Sequence, residues 1–357
     1  MTRFLRACLP LLALAAHALG AQGTPPPGAE HAGTAFTFTK VADGVWHAVG
    51  TGAMATGANA GIIETDDGVV LVDSHVSPAA AWVLLQELRA LTPQPVRTVI
   101  NTHFHYDHAH GNQTYGPGVE IIGHEFTRER LASGASRRGA AYEGLVRVLR
   151  EREDSLVRVL AQPRDSAQGA SAAAALAGVR RYRAAAIDDV RPVPPTLTLR
   201  DEVRLYRGGT EIRVLFLGRG HTGGDVVVVL PRQRVAITGD LVNAGLPFLG
   251  DGYFTEWAAT LERVQALPVD VFLPGHGAPI RDRAVFANLA AFLRDFDRQA
   301  GRLLARGLTV AQAEARLDLR AHVPHYPTLL ADRRDPALRE RLVIGLQRAQ
   351  QRRAGAP

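Results

Sequence analysis

A chain of 357 residues with 46% apolar residues has the composition of an ordinary soluble globular protein, enough for one large domain or two modest ones. Its formal charge of +6 comes almost entirely from arginine, since Lys40 is the only lysine. These arginines lie beside acidic residues (128–130, 147–152, 333–341), a pattern of solvated helix faces that argues against a nucleic-acid surface.

At the N-terminus, residues 1–6 form a basic segment, 7–19 an apolar run, and Ala18, Gly20 and Ala21 offer a cleavage site. The run is shorter than the ~20 apolar residues needed to span a bilayer. Residues 1–21 therefore read as a signal peptide, with export to the periplasm or outside the cell and no stable membrane insertion after cleavage. Cys8, the only cysteine, lies within it. The mature chain is thus expected to have no disulfide, thiolate nucleophile or cysteine metal ligand.

Residues 22–34, rich in Gly, Pro and Ala, read as a flexible lead-in. Short β segments are predicted at 35–39, 45–49, 60–64 and 69–73, the last two joined through Thr65-Asp66-Asp67-Gly68 as a hairpin. Ser77-Pro78 supplies a cap and a first-turn proline for a helix running to about Leu91. A buried strand follows at 96–101, a helix begins near Asp107, and 118–123 returns as a strand. Residues 124–190, rich in Ala, Arg and Glu, read as two or three helices broken near Gln162-Pro163. Four strands are predicted next, at 197–206, 210–217, 225–230 and 234–238. They are followed by an amphipathic helix at 255–267, a buried strand at 269–273 and a helical remainder. Strands then helix, twice over, predict an α/β fold layered as an αβ/βα sandwich. The domain would span 35–280, with a helical insertion at 124–190 and a helical extension at 281–357.

The chemistry is concentrated where strands end. His103-Phe104-His105-Tyr106-Asp107-His108 places four potential ligands within six residues, on the loop after the strand at 96–101. Imidazole and carboxylate suit Zn²⁺, whose catalytic sites use about three protein ligands and keep one position open. Three later segments repeat the logic: His221 in Gly220-His221-Thr222-Gly223, Asp240 after Gly239, and His276 between Gly275 and Gly277. The flanking glycines let the backbone turn sharply and come close to an ion.

This ordered set resembles the metallo-β-lactamase superfamily, whose signature is HxHxDH followed by a single His, an Asp or substitute, and a final His. The resemblance covers about residues 60 to 280. It implies a four-layer αβ/βα sandwich with two zinc ions at its edge. One ion would be held by His103, His105 and His221, the other by Asp107, His108 and His276, with Asp240 bridging and Asp73 supporting the site from behind. It also implies a hydrolase that acts on a small-molecule substrate. Two cations sharing a water lower its pKa from about 16 toward 7, so that hydroxide opens an amide- or ester-like bond of the β-lactam, lactone or thioester class. Asp107 would also orient that water. Within the family, an aspartate at the fourth position is typical of glyoxalase II and the lactonases, while many true β-lactamases carry cysteine or serine there. The lysine that some β-lactamases place after this ligand is absent, and Asp240-Leu241-Val242-Asn243 offers Asn243 as a hydrogen-bond donor to an anionic substrate, unless an arginine serves. The alternatives within the fold are a mononuclear iron oxidoreductase resembling persulfide dioxygenases, and a glyoxalase II-like thioesterase.

Of the remaining candidates, His75 and His124 read as structural, and His110 reads as a solvent-facing helix residue, with contact to substrate as the alternative. The loop 246–254 either lines a pocket beside the metals or packs Phe248 and Phe254 under the next helix. His322, His325 and Tyr326 have no tie to the site.

Overall fold

The computed structural model describes residues 24–243, 245–329 and 336–355; the leader expected at 1–21 lies outside them. The first sheet has seven strands in sequential order: β1 (Phe36–Ala42), β2 (Val45–Gly50), β3 (Ala60–Thr65), β4 (Gly68–Val72), β5 (Val96–Ile100), β6 (Glu120–His124) and β7 (Leu197–Leu199). β1 to β4 pair antiparallel, and β4 to β7 pair parallel. The expected hairpin forms, with Thr65 opposite Gly68. The second sheet runs β12-β11-β10-β9-β8, from β8 (Glu202–Arg207), β9 (Thr210–Phe216), β10 (Val226–Leu230), β11 (Val235–Gly239) and β12 (Val271–Pro274).

The two sheets face each other across one apolar layer. Alternation along β10 shows how: Val226, Val228 and Leu230 join Val70, Val72 and Ile100 of the first sheet. Val227 and Val229 turn outward, to the helices. A strand buried on both faces needs such a continuous valine run, and each buried side chain contributes about 1.5–3 kcal/mol.

Outside the first sheet lies α1 (Pro78–Leu88), capped by the Ser77 side chain accepting from Ala80 N–H, with Val83, Leu84 and Leu88 packed on the sheet. In chain order come α2 (Tyr106–Ala109), α3 (Glu125–Ala132), α4 (Ala140–Ala161) and α5 (Ser166–Arg183). α4 and α5 pack as a pair through Leu156, Ala172 and Leu176, and the break between them falls at Pro163 as expected. The second sheet is covered by α6 (Phe254–Gln265), α7 (Ala284–Ala305) and α9 (Pro336–Arg353), with the short α8 (Val310–Glu314) beside them. The layering is α/β/β/α.

Three expectations need correction. The strand predicted at 197–206 is two strands in different sheets: β7 pairs with β6, and after Arg200 and Asp201 the chain crosses so that β8 pairs with β9. The helix expected from Asp107 is a single turn, followed by a 3₁₀ turn at His110–Thr114. Part of the lead-in is docked, with Ala29 buried in the cluster under α1.

Candidate metal centre

The ligand candidates come together at one end of both sheets, on the loops that leave β4, β5, β9, β11 and β12. This is where open α/β sheets place their sites. The foundation is Asp73, just beyond β4. It is buried, and its backbone is left-handed at φ 67°. One carboxylate oxygen accepts from Thr102 N–H (2.7 Å), the other from Thr102 Oγ1 (2.8 Å) and His108 Nδ1 (2.7 Å). Thr102 Oγ1 also lies 3.0 Å from His103 Nδ1. A single carboxylate thus orients two imidazoles and leaves their Nε2 atoms pointing into the site.

Three overlapping groups of three candidate ligand atoms result, one of them His103, His108 and Asp240, and the other two sharing no residue. In His103, His105 and His221, and again in Asp107, His108 and His276, one atom per residue lies within 4.8 Å of the others. His221 Nε2 is 3.0 Å from His105 Nδ1. His276 Nε2 is 3.2 Å from Asp107 Oδ2. Asp240 stands between the groups: its Oδ2 is 3.7 Å from His221 Nε2 and 3.4 Å from His276 Nε2, and its Oδ1 is 3.5 Å from His108 Nε2. A Cβ on Gly275 would overlap Asp240 Oδ1 and come within 2.6 Å of His108 Cε1, so only glycine lets the His276 loop pass this close.

The residues fit metal ions on this structure's own terms. His103 Nε2, His108 Nε2 and Asp240 Oδ1 are buried and have no hydrogen-bond partner among the described residues. Buried polar atoms are rarely left so, and here the atoms of both groups aim at common points. Burial, aided by neighbouring imidazoles, holds His103 well below the usual histidine range and His221 down to about 3, keeping both neutral, the form that ligates. Asp240, against burial and with help from Asp107, raises His276 to about 10. Burial also opposes charge on His108, but the carboxylates of Asp73, Asp107 and Asp240 outweigh it and raise that group. The carboxylates thus make a strongly negative pocket suited to cations.

Residues outside the seven shape the site as well. Asp251 accepts from His105 Nε2 at 3.0 Å, which commits that ring's Nδ1 to the centre. Asn59 Nδ2 donates to Pro274 O (3.2 Å) and Gly277 O (2.9 Å), pinning the His276 loop. Sequence reasoning missed both. For Asp251 a signal existed, because Gly250-Asp251-Gly252 repeats the glycine flanking of the other positions. Asn243 accepts from His276 N–H through Oδ1 at 3.3 Å and lines the adjoining cavity.

His110 corrects the expectation of a solvent-facing residue. It is fully buried, 3.2 Å from Ser136 Oγ and against the Tyr142 ring, because the insertion folds over it. His124 caps α3 by accepting from Phe126 N–H, and His75 contacts Ala58 O. Both are structural, as expected. In the loop 246–254 both roles are present: Phe248 lines the cavity, 5.8 Å from the His105 ring, while Phe254 is buried against Phe296. His322 pairs with Asp295 in the helical layer.

The family model described as "Metallo-beta-lactamase superfamily" matches residues 53–276, and the chain belongs to that superfamily. Among its relatives, the linear primary-alkylsulfatase of a Pseudomonas species is 22% identical over 285 residues, covering 76% of this chain and 52% of the relative. A solved stereoselective inverting sec-alkylsulfatase from Pseudomonas matches with TM-score 0.62 at 18% identity, over 89% of this chain and 50% of that one. A metallo-beta-lactamase from Pontibacter korlensis matches with TM-score 0.52 at 20% identity, over 72% of this chain and 99% of that one. The chain spans about half the length of the first curated relatives it matches.

Proposed function

We propose that this protein is an exported dinuclear zinc hydrolase that opens an ester- or amide-like bond of a small molecule. The observation that carries the reading is the pair of three-ligand groups with Asp240 between them, at the inner end of a cavity of about 640 Å³. A complete second group favours two ions over the mononuclear iron alternative. The all-histidine and carboxylate donor set suits zinc.

Bound zinc supplies Lewis acidity and an activated water at neutral pH. The chain's own residues do the rest. His103, His105 and His221 would hold one ion, Asp107, His108 and His276 the other, and Asp240 both. Asp107, beside the cavity, is placed to accept a hydrogen bond from the attacking water and fix its direction. Asn243, its Oδ1 engaged by His276 N–H, keeps its amide N–H groups to donate to the substrate. β-Lactams, lactones and thioesters are the bond classes that fit this machinery, and the alkylsulfatase relatives add sulfate esters. The basic hydrophobic leader supports export to the periplasm or beyond. The surface arginines support a small-molecule role over nucleic-acid binding, since many are paired, as Arg180 with Glu153, Arg219 with Glu256 and Arg234 with Asp270.

The test is metal content joined to a hydrolysis panel. Purified protein should carry two zinc ions, lose turnover on chelation and recover it with zinc. His221→Ala should lower turnover by more than about 100-fold, the upper end of what an outer supporting residue costs. Full turnover in the metal-free protein, or a single iron with oxygen consumed on a persulfide, would overturn the proposal.

A further inference from the structure

The cavity at the metal centre has two unlike ends. At the inner end stand Asp107, Asp240 and His276; beyond them the walls are mainly apolar, with Glu340 and Arg341 at the outer end. One wall is a face of α4, where Gly144, Leu145 and Val148 recur at helical spacing. The opposite wall is Pro247 and Phe248, with Ile344 from α9. The charged side chains at this outer end are engaged with protein partners: Glu340 pairs with Arg147 of α4, and Arg341 donates to Leu246 O. Val148 keeps 52% of its surface exposed and is open to an apolar ligand in the cavity. Gly144 is the second telling feature. Glycine is the least favourable residue after proline in a helix interior, yet it stands inside α4. A Cβ built there would meet no atom within 4 Å, so the position leaves room on the cavity side without being forced by close backbone packing.

From these observations we infer that the substrate carries an extended, uncharged hydrocarbon arm beside the scissile bond, and that Gly144 sets how long an arm is accepted. The inference rests on the hydrolase reading for the position of the scissile bond. The arm's site itself is defined by α4, the 246–248 loop and α9. One wall comes from the insertion, and the other joins the loop that follows Asp240 to the C-terminal extension. Specificity is thus carried in part by the added helices.

Binding tests this separately from chemistry. Linear alkylphosphonates from methyl to decyl would be titrated into zinc-loaded protein by calorimetry. Affinity should rise about fourfold per added methylene until the cavity is full. Gly144→Trp should weaken decylphosphonate by at least about tenfold, since the indole displaces several methylenes. It should leave methylphosphonate affinity and zinc content unchanged. Val148→Asp, a second variant on the same wall, should also penalise only the long members. A flat series in the unaltered protein, or variants that weaken methyl and decyl members alike, would overturn the arm. A steep series with no turnover across the panel would remove the hydrolase reading and leave the arm site standing. Turnover with a flat series would do the reverse.

Discussion

His105 takes its orientation from a carboxylate 146 residues further along the chain. The hydrogen bond with His105 holds Asp251 below the usual carboxylate range, against the opposing effect of its partial burial. The pair fixes the tautomer of the ring and increases the basicity of the nitrogen that faces the centre. Asp73 does the same for His108. Asp251→Ala is therefore expected to weaken zinc binding by about 10–100-fold, with Asp251→Asn retaining part of the affinity. Competition against a chromophoric chelator measures this. Because Asp251 is on a loop and supports no core cluster, thermal stability of the metal-free variant should stay within about 1 kcal/mol of the parent. Unchanged zinc affinity would show that His105 needs no such partner.

At the level of elements, the helical layer over the second sheet is a mechanical part of the site. Phe296 on α7 is fully buried, edge-on to Phe254 at 5.3 Å and stacked on Phe292 at 5.9 Å. α9 lies over α7, and its outer turns form the cavity wall at Ile344. Phe296→Ala should cost about 3–5 kcal/mol, read as a lower denaturant midpoint at unchanged slope. A cost below about 1 kcal/mol would mean that α9 is held by other contacts. Most of these elements are legible in the sequence, because valine runs bounded by glycine, a Ser-Pro cap and a proline break are local signals. The seven candidate positions are legible for the same reason, since all lie on loops that leave apolar strands. What was missed is tertiary. Apolar residues at 197, 199, 203 and 205 share one parity and read as a single strand, and the polar Asp201 that interrupts them does not by itself say that the chain changes sheets there. His110 reads as exposed until residues from Ser136 to Tyr142 are seen to fold over it. The partner of His105 lies in a loop whose glycines carried the signal, but whose position depends on the whole second half of the chain.

Across the whole molecule, the ligand set is divided between the two sheets. The first supplies His103, His105, Asp107 and His108, backed by Asp73, and the second His221, Asp240 and His276. Between the sheets lies a largely apolar layer, which is non-directional and does not by itself fix their relative position to the fraction of an ångström that coordination needs. Ions held from both sides would supply that restraint. The metal-free site instead gathers carboxylates from both halves, Asp107 facing Asp240 across His276. Zinc binding should therefore stabilise the assembled sandwich as a unit. With free zinc at about 100 times its dissociation constant, each site contributes about 2.7 kcal/mol. For a domain this large, that is a rise of roughly 5 °C in midpoint per ion. Calorimetry of zinc-loaded and chelated protein measures it, and the increase should be lost in Asp240→Ala, which removes the carboxylate 3.7 Å from His221 Nε2 in one group and 3.4 Å from His276 Nε2 in the other. A midpoint indifferent to zinc in the unaltered protein would mean that the apolar layer alone sets the register of the halves, and that the ligand loops close on metal at no gain to the fold.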